Sequence, residues 1–324
     1  MELVVTAPRL LSLPPATLQS SQALARYACW STGESLGQAS EVAVLAALGM
    51  RGASIGALIA RGAGIDVGAD HWLVADPVSL VAGIDDVVVA ARVEDADAAF
   101  VARAVGLLNA HFADDGAALV APHPERWLLR MRDAPHSTFT ATDLAVGGSA
   151  YAHRPQGGDA RRFERYANEV QMLLHDAPEN DARARNGLPP LNGLWWWDGP
   201  ASAQPSSPTV RVDAFAAPGA DGDLARGAAL ASGGGVHPLG ARLEFADRRA
   251  ALVLVALPPM TLLDFAQWEA GWLAPAVDAL ADHRLTRLTL IAGGAATHRW
   301  TATPPTLVRR LRARFAKSRF GVPP

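Results

Sequence analysis

Short, wholly apolar runs alternate along this chain with stretches whose apolar residues recur at helical spacing. The clearest run is 251–257, which has no polar side chain and is typical of a central strand in a parallel sheet. Further strands are predicted over 3–6, 72–74, 87–93, 118–121, 126–131, 191–197, 210–215 and 285–291, and helices over 95–112, 159–176, 222–231 and 264–283. We therefore predict an α/β fold, a mostly parallel sheet with helices on both faces.

Composition and charge exclude several classes of protein. Half of the 324 residues are hydrophobic and 19% are charged, which is typical of a globular chain and not of a disordered one. A formal net charge of −3 provides no basic field that would hold nucleic acid. No apolar stretch reaches the ~20 residues of a membrane-spanning helix, and residues 1–5 lack the basic segment of a signal peptide. We therefore expect a cytoplasmic protein with no nucleic-acid partner and no membrane partner.

One stretch places several polar side chains between a predicted helix and a predicted strand. His175 lies near the helix end, Asn180 and Arg185 follow in a segment predicted as a loop, and Asn192 opens the next strand. If the helix end and the strand start meet, these four residues could hydrogen-bond a carboxylate or phosphate, with Arg185 as the charged donor. In the structural alternative, His175 caps the C-terminal end of its helix, and Asn192 forms hydrogen bonds with buried backbone groups.

Two pairs of residues in other segments are further candidates. His71 and Asp76 belong to one compact motif, in which Asp76 either caps a loop or binds a ligand. Arg126 and Arg130 alternate with Leu128 on a predicted strand, so both should face the same side. They would then either bind an anion together or form an ordinary exposed surface.

Two segments are predicted to lie at the surface. Residues 199–208 are rich in Pro and Ser and are predicted to form a loop or small linker. Residues 309–319 hold five arginines and one lysine and are predicted to form a weakly amphipathic helix. That basic tail is either a solvated helix face or a surface for an acidic partner or phosphate groups.

Three segments together resemble a known family. They are HWLVADPVSL (71–80), PHPERWLLRM (122–131) and QMLLHDAPENDARARNGLPPLNGLWWWDGP (171–200). In this combination the chain resembles the bacterial RpfE-type proteins, a family of regulatory or cofactor-independent phosphoglycerate mutase-like proteins, over about residues 65–200. The family usually has His where this chain has Ser79, and a WxWGxG-like segment where this chain has residues 195–200.

The resemblance implies a particular architecture. The RpfE-type family is distantly similar to archaeal-type cofactor-independent phosphoglycerate mutases of the alkaline phosphatase superfamily, which carry a His, Asn, Arg, Asn series before a strand. This implies an alkaline-phosphatase-like core in reduced form, with an inserted α+β subdomain. By the resemblance, residues 1–84 and 190–324 form the core and residues 85–189 form the insert.

The metal chemistry of such mutases is not expected to carry over. They move a phosphoryl group through a serine held against two divalent metals, which need Asp and His ligands from several strand ends. Residues 1–13 contain only Glu2 as an acid, and the pairs Asp70–His71 and Asp282–His283 lack the Thr-Pro that follows such a pair in the family. The single cysteine, Cys29, permits no intrachain disulfide and no cysteine-based zinc site, and we expect it to be buried.

The sequence therefore favours a phosphoglycerate-mutase-like protein without metals or other cofactors. We expect it to be non-catalytic or weakly active and to bind a small phosphorylated or carboxylate metabolite or a protein partner. Two alternatives stay open. One is an active, metal-dependent phosphoglycerate mutase or phosphatase. The other is a regulatory interaction module that uses its tryptophan-rich surface or its basic tail.

Overall fold

The chain divides into two units. The computed structural model describes residues 1–83, 86–198, 210–243, 251–258, 261–293 and 296–313. What we call the core unit comprises Met1–Arg51 and Ser206–Pro324, and what we call the inserted unit comprises Gly52–Pro205. The resemblance implied an insert at 85–189, and the two divisions differ at both boundaries.

The secondary structure follows this division in chain order. The first part of the core unit contains β1 (Glu2–Ala7), α1 (Pro15–Ser20), α2 (Gln22–Trp30), β2 (Ser31–Leu36) and α3 (Ser40–Ala47). The inserted unit contains α4 (Ile55–Gly62), β3 (His71–Ala82), β4 (Val87–Arg92), α5 (Ala98–His111), β5 (Ala117–His123), β6 (Arg126–Met131), β7 (Ser137–Thr138), α6 (Thr142–Ala145), β8 (Gln156–Gly157), α7 (Ala160–His175), α8 (Pro178–Arg185) and β9 (Gly193–Trp197). The second part of the core unit contains β10 (Val212–Ala216), α9 (Ala220–Ala231), β11 (Val236–Pro238), β12 (Leu252–Ala256), α10 (Leu262–Trp268), a π-helical turn (Glu269–Leu273), α11 (Ala274–Ala281), β13 (Arg287–Ala292), β14 (Thr297–Ala302) and α12 (Leu307–Ala313).

The core unit is built on a seven-stranded sheet in the order β11-β10-β12-β1-β13-β14-β2. The first five strands of this order, β11, β10, β12, β1 and β13, run parallel to one another. At the other edge, β14 pairs antiparallel with β13, and β2 pairs antiparallel with β14. Leu3 and Val5 pack with α2 and α11 in one buried cluster, whereas Val4 is buried outside that cluster, as the alternation of a strand requires. Helices α3 and α9 contact the sheet without joining the cluster. The predicted α/β class, a mostly parallel sheet with helices on both faces, is confirmed.

The inserted unit is built on a second, antiparallel sheet. Its order is β4-β3-β6-β5, and β9 also pairs with β3. Helices α5 and α7 cover one face through a cluster that includes Trp127, Phe163, Tyr166 and Trp196, and α4 contacts β3 and β6. This is the α+β architecture predicted for the insert. The unit extends beyond 85–189 because β3 and β9 pair with strands of this sheet.

Strand β3 is longer than the sequence indicated. Pro77 was expected to end the strand after Val74, yet β3 continues to Ala82. Pairing with β6 covers His71–Ala75 and pairing with β4 begins at Val78. On one side of β3, Pro77 therefore lies between the β6 and β4 pairings, where its missing N–H removes no bond of either ladder. On the other side it is in register with Leu194 of β9.

Three further expectations differ from the structure. The segment 178–185, predicted as a loop, is helix α8, which begins with Pro178 at its first position and has acids in its first turn and arginines in its last, all favourable to a helix. The predicted helix 264–283 is interrupted by the π-helical turn just before Pro275. Cys29 is exposed on α2, because it lies away from the buried Leu24 and Tyr27.

The structure describes only a small part of the two predicted surface segments. Helix α12 (Leu307–Ala313) includes residues 309–313 of the basic tail, and the rest of that tail lies outside the described residues, as does the predicted loop 199–208. Within the described ranges, no helix has both the length and the apolar composition needed to cross a bilayer.

A close approach of helix to strand in the inserted unit provides a first test. A Cβ atom added at Gly56 of α4 would lie 2.6 Å from the carbonyl oxygen of Trp72 in β3. We expect Gly56→Ala to lower the free energy of unfolding by about 1–3 kcal/mol, because the helix must move away from a backbone that cannot yield. Urea denaturation followed by circular dichroism measures the change.

The matched control is Gly106→Ala in α5, where the added Cβ meets no atom within 4 Å. This variant should be stabilised by roughly 0.5–1 kcal/mol, since alanine is the better helix former. Equal effects from the two substitutions would contradict the packing of α4 on β3.

Candidate functional site

The most buried of the predicted site residues is Asp76, which lies in β3 between the stretches that pair with β6 and with β4. It is fully buried. Its Oδ2 accepts hydrogen bonds from the Thr142 hydroxyl at 2.6 Å and from the Trp197 indole nitrogen at 2.7 Å. Its Oδ1 lies 3.4 Å from Nη2 of Arg92 and 3.3 Å from Nε of Arg126. Both carboxylate oxygens are therefore engaged.

Electrostatics keep this carboxylate ionised. Burial by itself would raise the pKa of Asp76, but the charges of Arg126 and Arg92, together with the hydrogen bonds from Thr142 and Trp197, lower it below its ordinary value. The Arg126 guanidinium also lies over the Trp197 ring, 5.8 Å from its centroid. A carboxylate with a depressed pKa, sealed from solvent and surrounded by donors, is a poor general base. The cluster is structural.

The pair Arg126 and Arg130 does not form a joint anion site. Arg126 is buried against Asp76. Arg130 is exposed, with its Nε 3.6 Å from a carboxylate oxygen of Asp70. Arg126 faces the buried Asp76 carboxylate, whereas Arg130, four residues further along β6, faces solvent. His71 is exposed at the start of β3 and lies in register with Met131.

Two of the four residues predicted to hold an anion bind backbone instead. The Asn180 amide donates to the carbonyls of Leu174 and Leu191, both at 3.0 Å, and its oxygen accepts from the Leu191 N–H at 2.9 Å. Asn192 accepts from the Leu80 N–H at 2.7 Å and donates to the Leu80 carbonyl at 2.9 Å. These are the structural roles that the sequence also allowed.

The two remaining candidates of that segment are exposed. Arg185 lies in the last turn of α8, and His175 ends α7 with 78% of its side chain exposed. His175 borders an open surface depression with Asn168, Gln171 and Met172. The structure therefore does not gather the four residues into an enclosed ligand site.

Sequence reasoning missed several residues that carry charge or hydrogen bonds. Arg183, two positions before Arg185, is the buried arginine of α8. It donates to the Pro189 carbonyl at 2.7 Å and to Asp95 at 2.6 Å. Arg92 and Thr142, which hold Asp76, were not singled out either. The signal for Arg92 was its place at the end of a predicted strand, whereas Thr142 gave none.

The carboxyl edge of the core sheet is where ligands of open α/β folds bind, and its side chains are small. Strands β1, β10, β12 and β13 end in Ala7, Ala216, Ala256 and Ala292. The residues that follow them are Pro8, Ala217, Leu257 and Gly293. No group of three or more His, Cys, Asp or Glu within the described ranges could hold a metal ion. These residues do not fit the two-metal centre that the resemblance implies.

A cavity of 280 Å³ lies at the same edge, beyond the carboxyl end of β12. Its described lining consists of Leu239, Gly240, Ala241, Leu257, Pro258, Asp264, Gln267, Trp268 and Trp272. Hydrogen bonds from the Thr261 hydroxyl and amide lower the pKa of Asp264, so its carboxylate is ionised at neutral pH. The Trp272 indole N–H donates to the Gly240 carbonyl at 2.9 Å. The Trp268 indole nitrogen is buried without a hydrogen-bond partner among the described residues.

Comparisons with known proteins show likeness of fold. No family model and no curated protein matches the chain. Among solved structures, the PH0037 protein from Pyrococcus horikoshii is 15% identical with a TM-score of 0.50, over 93% of this chain and 87% of that one. A cofactor-independent phosphoglycerate mutase from Thermoplasma acidophilum is 14% identical with a TM-score of 0.43, over 93% of this chain and 89% of that one. The first likeness establishes a shared fold and nothing about activity, and the second supports no conclusion about this chain.

The Asp76 cluster predicts an unequal response to two similar substitutions. Asp76→Asn keeps the shape of the side chain but leaves Arg92 and Arg126 facing an uncharged group. We expect it to destabilise the protein by about 3–5 kcal/mol, because one partner of a buried ion pair is removed. Urea denaturation gives the magnitude, and hydrogen exchange of peptides from β3 and β9 locates the effect in the inserted unit.

The control is Asp70→Asn, which breaks the exposed pair with Arg130 and should change stability by at most about 1 kcal/mol. Similar losses in both variants would mean that Asp76 is not the buried charge centre described above.

The depressed pKa of Asp76 also sets a pH dependence. An unfolded aspartate titrates near 3.9, so the stabilisation from Asp76 is complete above about pH 4 and is lost as the pH falls below that value towards the folded pKa. The free energy of unfolding should therefore fall more steeply with acid in the wild type than in Asp76→Asn below about pH 4. Urea titrations at a series of pH values measure both slopes, and parallel slopes would refute the assignment.

Proposed function

We propose that this protein acts by binding, as a phosphoglycerate-mutase-like protein without the two-metal centre of catalysis. One observation carries the proposal. The central strands of the parallel sheet end in alanines where a metal-dependent phosphoryl transferase needs carboxylates and imidazoles. Phosphoryl transfer of that kind depends on positive charge at the transferred group, and the described residues at this edge supply no ligands to hold it.

The state of Asp76 supports the same proposal. A buried carboxylate is the residue type most easily recruited as a base or metal ligand. In this chain, however, Arg92, Arg126, Thr142 and Trp197 occupy its oxygens, so a metal or substrate would have to displace internal partners.

The structure gives unequal support to the possible ligands. An anionic metabolite near His175 and Arg185 would find two exposed side chains on the unit's surface and two amides already bound to backbone. The cavity beside Trp268 is instead a partly open pocket of the core unit, and its lining includes two nearly buried tryptophans. We therefore place the binding function at the carboxyl edge of the core sheet.

Metal content and activity test this proposal together. Purified protein, incubated with manganese and desalted, should hold only substoichiometric metal by elemental analysis, because too few ligands converge. It should convert neither 3-phosphoglycerate to 2-phosphoglycerate nor a generic phosphate ester to product. Stoichiometric manganese with chelator-sensitive turnover would overturn the proposal.

A binding measurement in chelator completes the test. A ligand that binds the native state raises the melting temperature by mass action. We expect 3-phosphoglycerate to leave the melting temperature unchanged. A rise that Arg185→Ala abolishes would instead establish the anion site predicted from the sequence.

A further inference from the structure

We infer that the cavity beyond β12 binds a small, uncharged, ring-sized molecule that carries a hydrogen-bond acceptor. This inference deepens the proposed binding function and rests on it. At 280 Å³ the cavity is close to the lower end of small-ligand pockets, about 300–1,000 Å³. That volume suits one ring with a short substituent.

The lining determines the charge of the ligand. Most of its described residues are apolar or aromatic, and none of them is Arg, Lys or His. Among these described lining residues, the only ionised group is the Asp264 carboxylate at the rim. An anion would lose hydration on entering an apolar site and would also meet this like charge. Phosphorylated acids are therefore poor ligands for this cavity.

The indole N–H groups of two tryptophans determine which hydrogen bond the cavity offers to a ligand. Trp268 and Trp272 are both nearly buried and both line the cavity, but they differ in their N–H groups. That of Trp272 is already bonded to the Gly240 carbonyl. That of Trp268 is buried and has no partner within the described residues. Leaving such a donor unpaired is unfavourable, and a ligand carbonyl would satisfy it.

The walls are fixed by backbone contacts, which favours a preformed site. Gly271 lies in the π-helical turn between the two tryptophans, and a Cβ atom there would overlap the Ala241 carbonyl. The Leu243 N–H donates to the Gly271 carbonyl at 2.8 Å. On the far side, Phe215 packs at 6.0 Å between ring centroids against Trp272. Little ordering is then needed when a ligand enters.

Four probes of one shape separate the determinants. Benzamide is neutral with an acceptor, benzoate is an anionic analogue of similar shape, protonated benzamidine is a cation without an acceptor, and toluene is a neutral ring without a polar group. Titrations followed by nitrogen–proton correlation spectra resolve the tryptophan indole resonances, and Trp268→Phe assigns the one that belongs to Trp268. We expect benzamide to bind most tightly and to shift the Trp268 indole proton downfield, while that of Trp272 moves little.

Two variants test the donor itself. Trp268→Phe should reduce the preference for benzamide over toluene by about fivefold, the effect of one neutral hydrogen bond. Trp272→Phe removes the same volume from a neighbouring lining residue whose N–H is already bonded to Gly240, and it should leave that preference unchanged. If Trp268→Phe unfolds the protein, sequential triple-resonance assignment identifies the Trp268 indole in the wild type, so its shift still tests the inference.

Each other outcome contradicts the inference. Tightest binding by benzamidine would make the ligand an organic cation held by Asp264, and tightest binding by benzoate would make it an anion. Absence of binding by any probe, in a protein that is also free of metal and of mutase activity, would overturn this site while leaving the proposed function in place. Manganese binding with turnover would overturn the proposed function itself.

Discussion

A single buried carboxylate holds the inserted unit together. Its sheet is organised around β3, with which β4, β6 and β9 all pair. Asp76 lies in the middle of β3, and its four partners come from four elements: Arg92 from β4, Arg126 from β6, Thr142 from α6 and Trp197 from β9. A buried charge is tolerated only when its partners are all in place. The carboxylate therefore makes the positions of these four elements depend on one another.

The sequence predicts best those elements whose pattern reflects burial on both sides. The run 251–257 became β12, the third strand of the core sheet, and the residues around Leu3 became β1 beside it. Strands β2 and β14 were missed. They form the antiparallel edge, where exposed polar residues such as Glu34 and Ser35 are tolerated and no apolar run is needed. Helix α8 was missed because it has no apolar periodicity, although its first proline, its early acids and its late arginines all favour a helix.

The candidate site shows a different limit. Asp76 and Arg126 were both singled out as candidate ligand-binding residues. In the structure they form an ion pair with each other. A sequence indicates that a charged residue in an apolar strand needs a partner, but it does not indicate whether that partner is a ligand or another part of the chain. The same limit applies to Arg183 and Arg185. They lie two positions apart in one helix, and only Arg183 is buried.

Asn192 has a consequence for how β9 finds its place. An asparagine side chain presents the same donor and acceptor as a peptide group, and Asn192 uses both on Leu80, where the pairing of β3 with β4 is irregular. This amide acts as one additional rung of the ladder, just before the backbone rungs of β9 begin. A slip by one residue would lose both of these bonds and turn Trp196 out of the aromatic cluster, since neighbouring side chains of a strand alternate between faces. The side chain thus selects one alignment of three consecutive tryptophans over its neighbours.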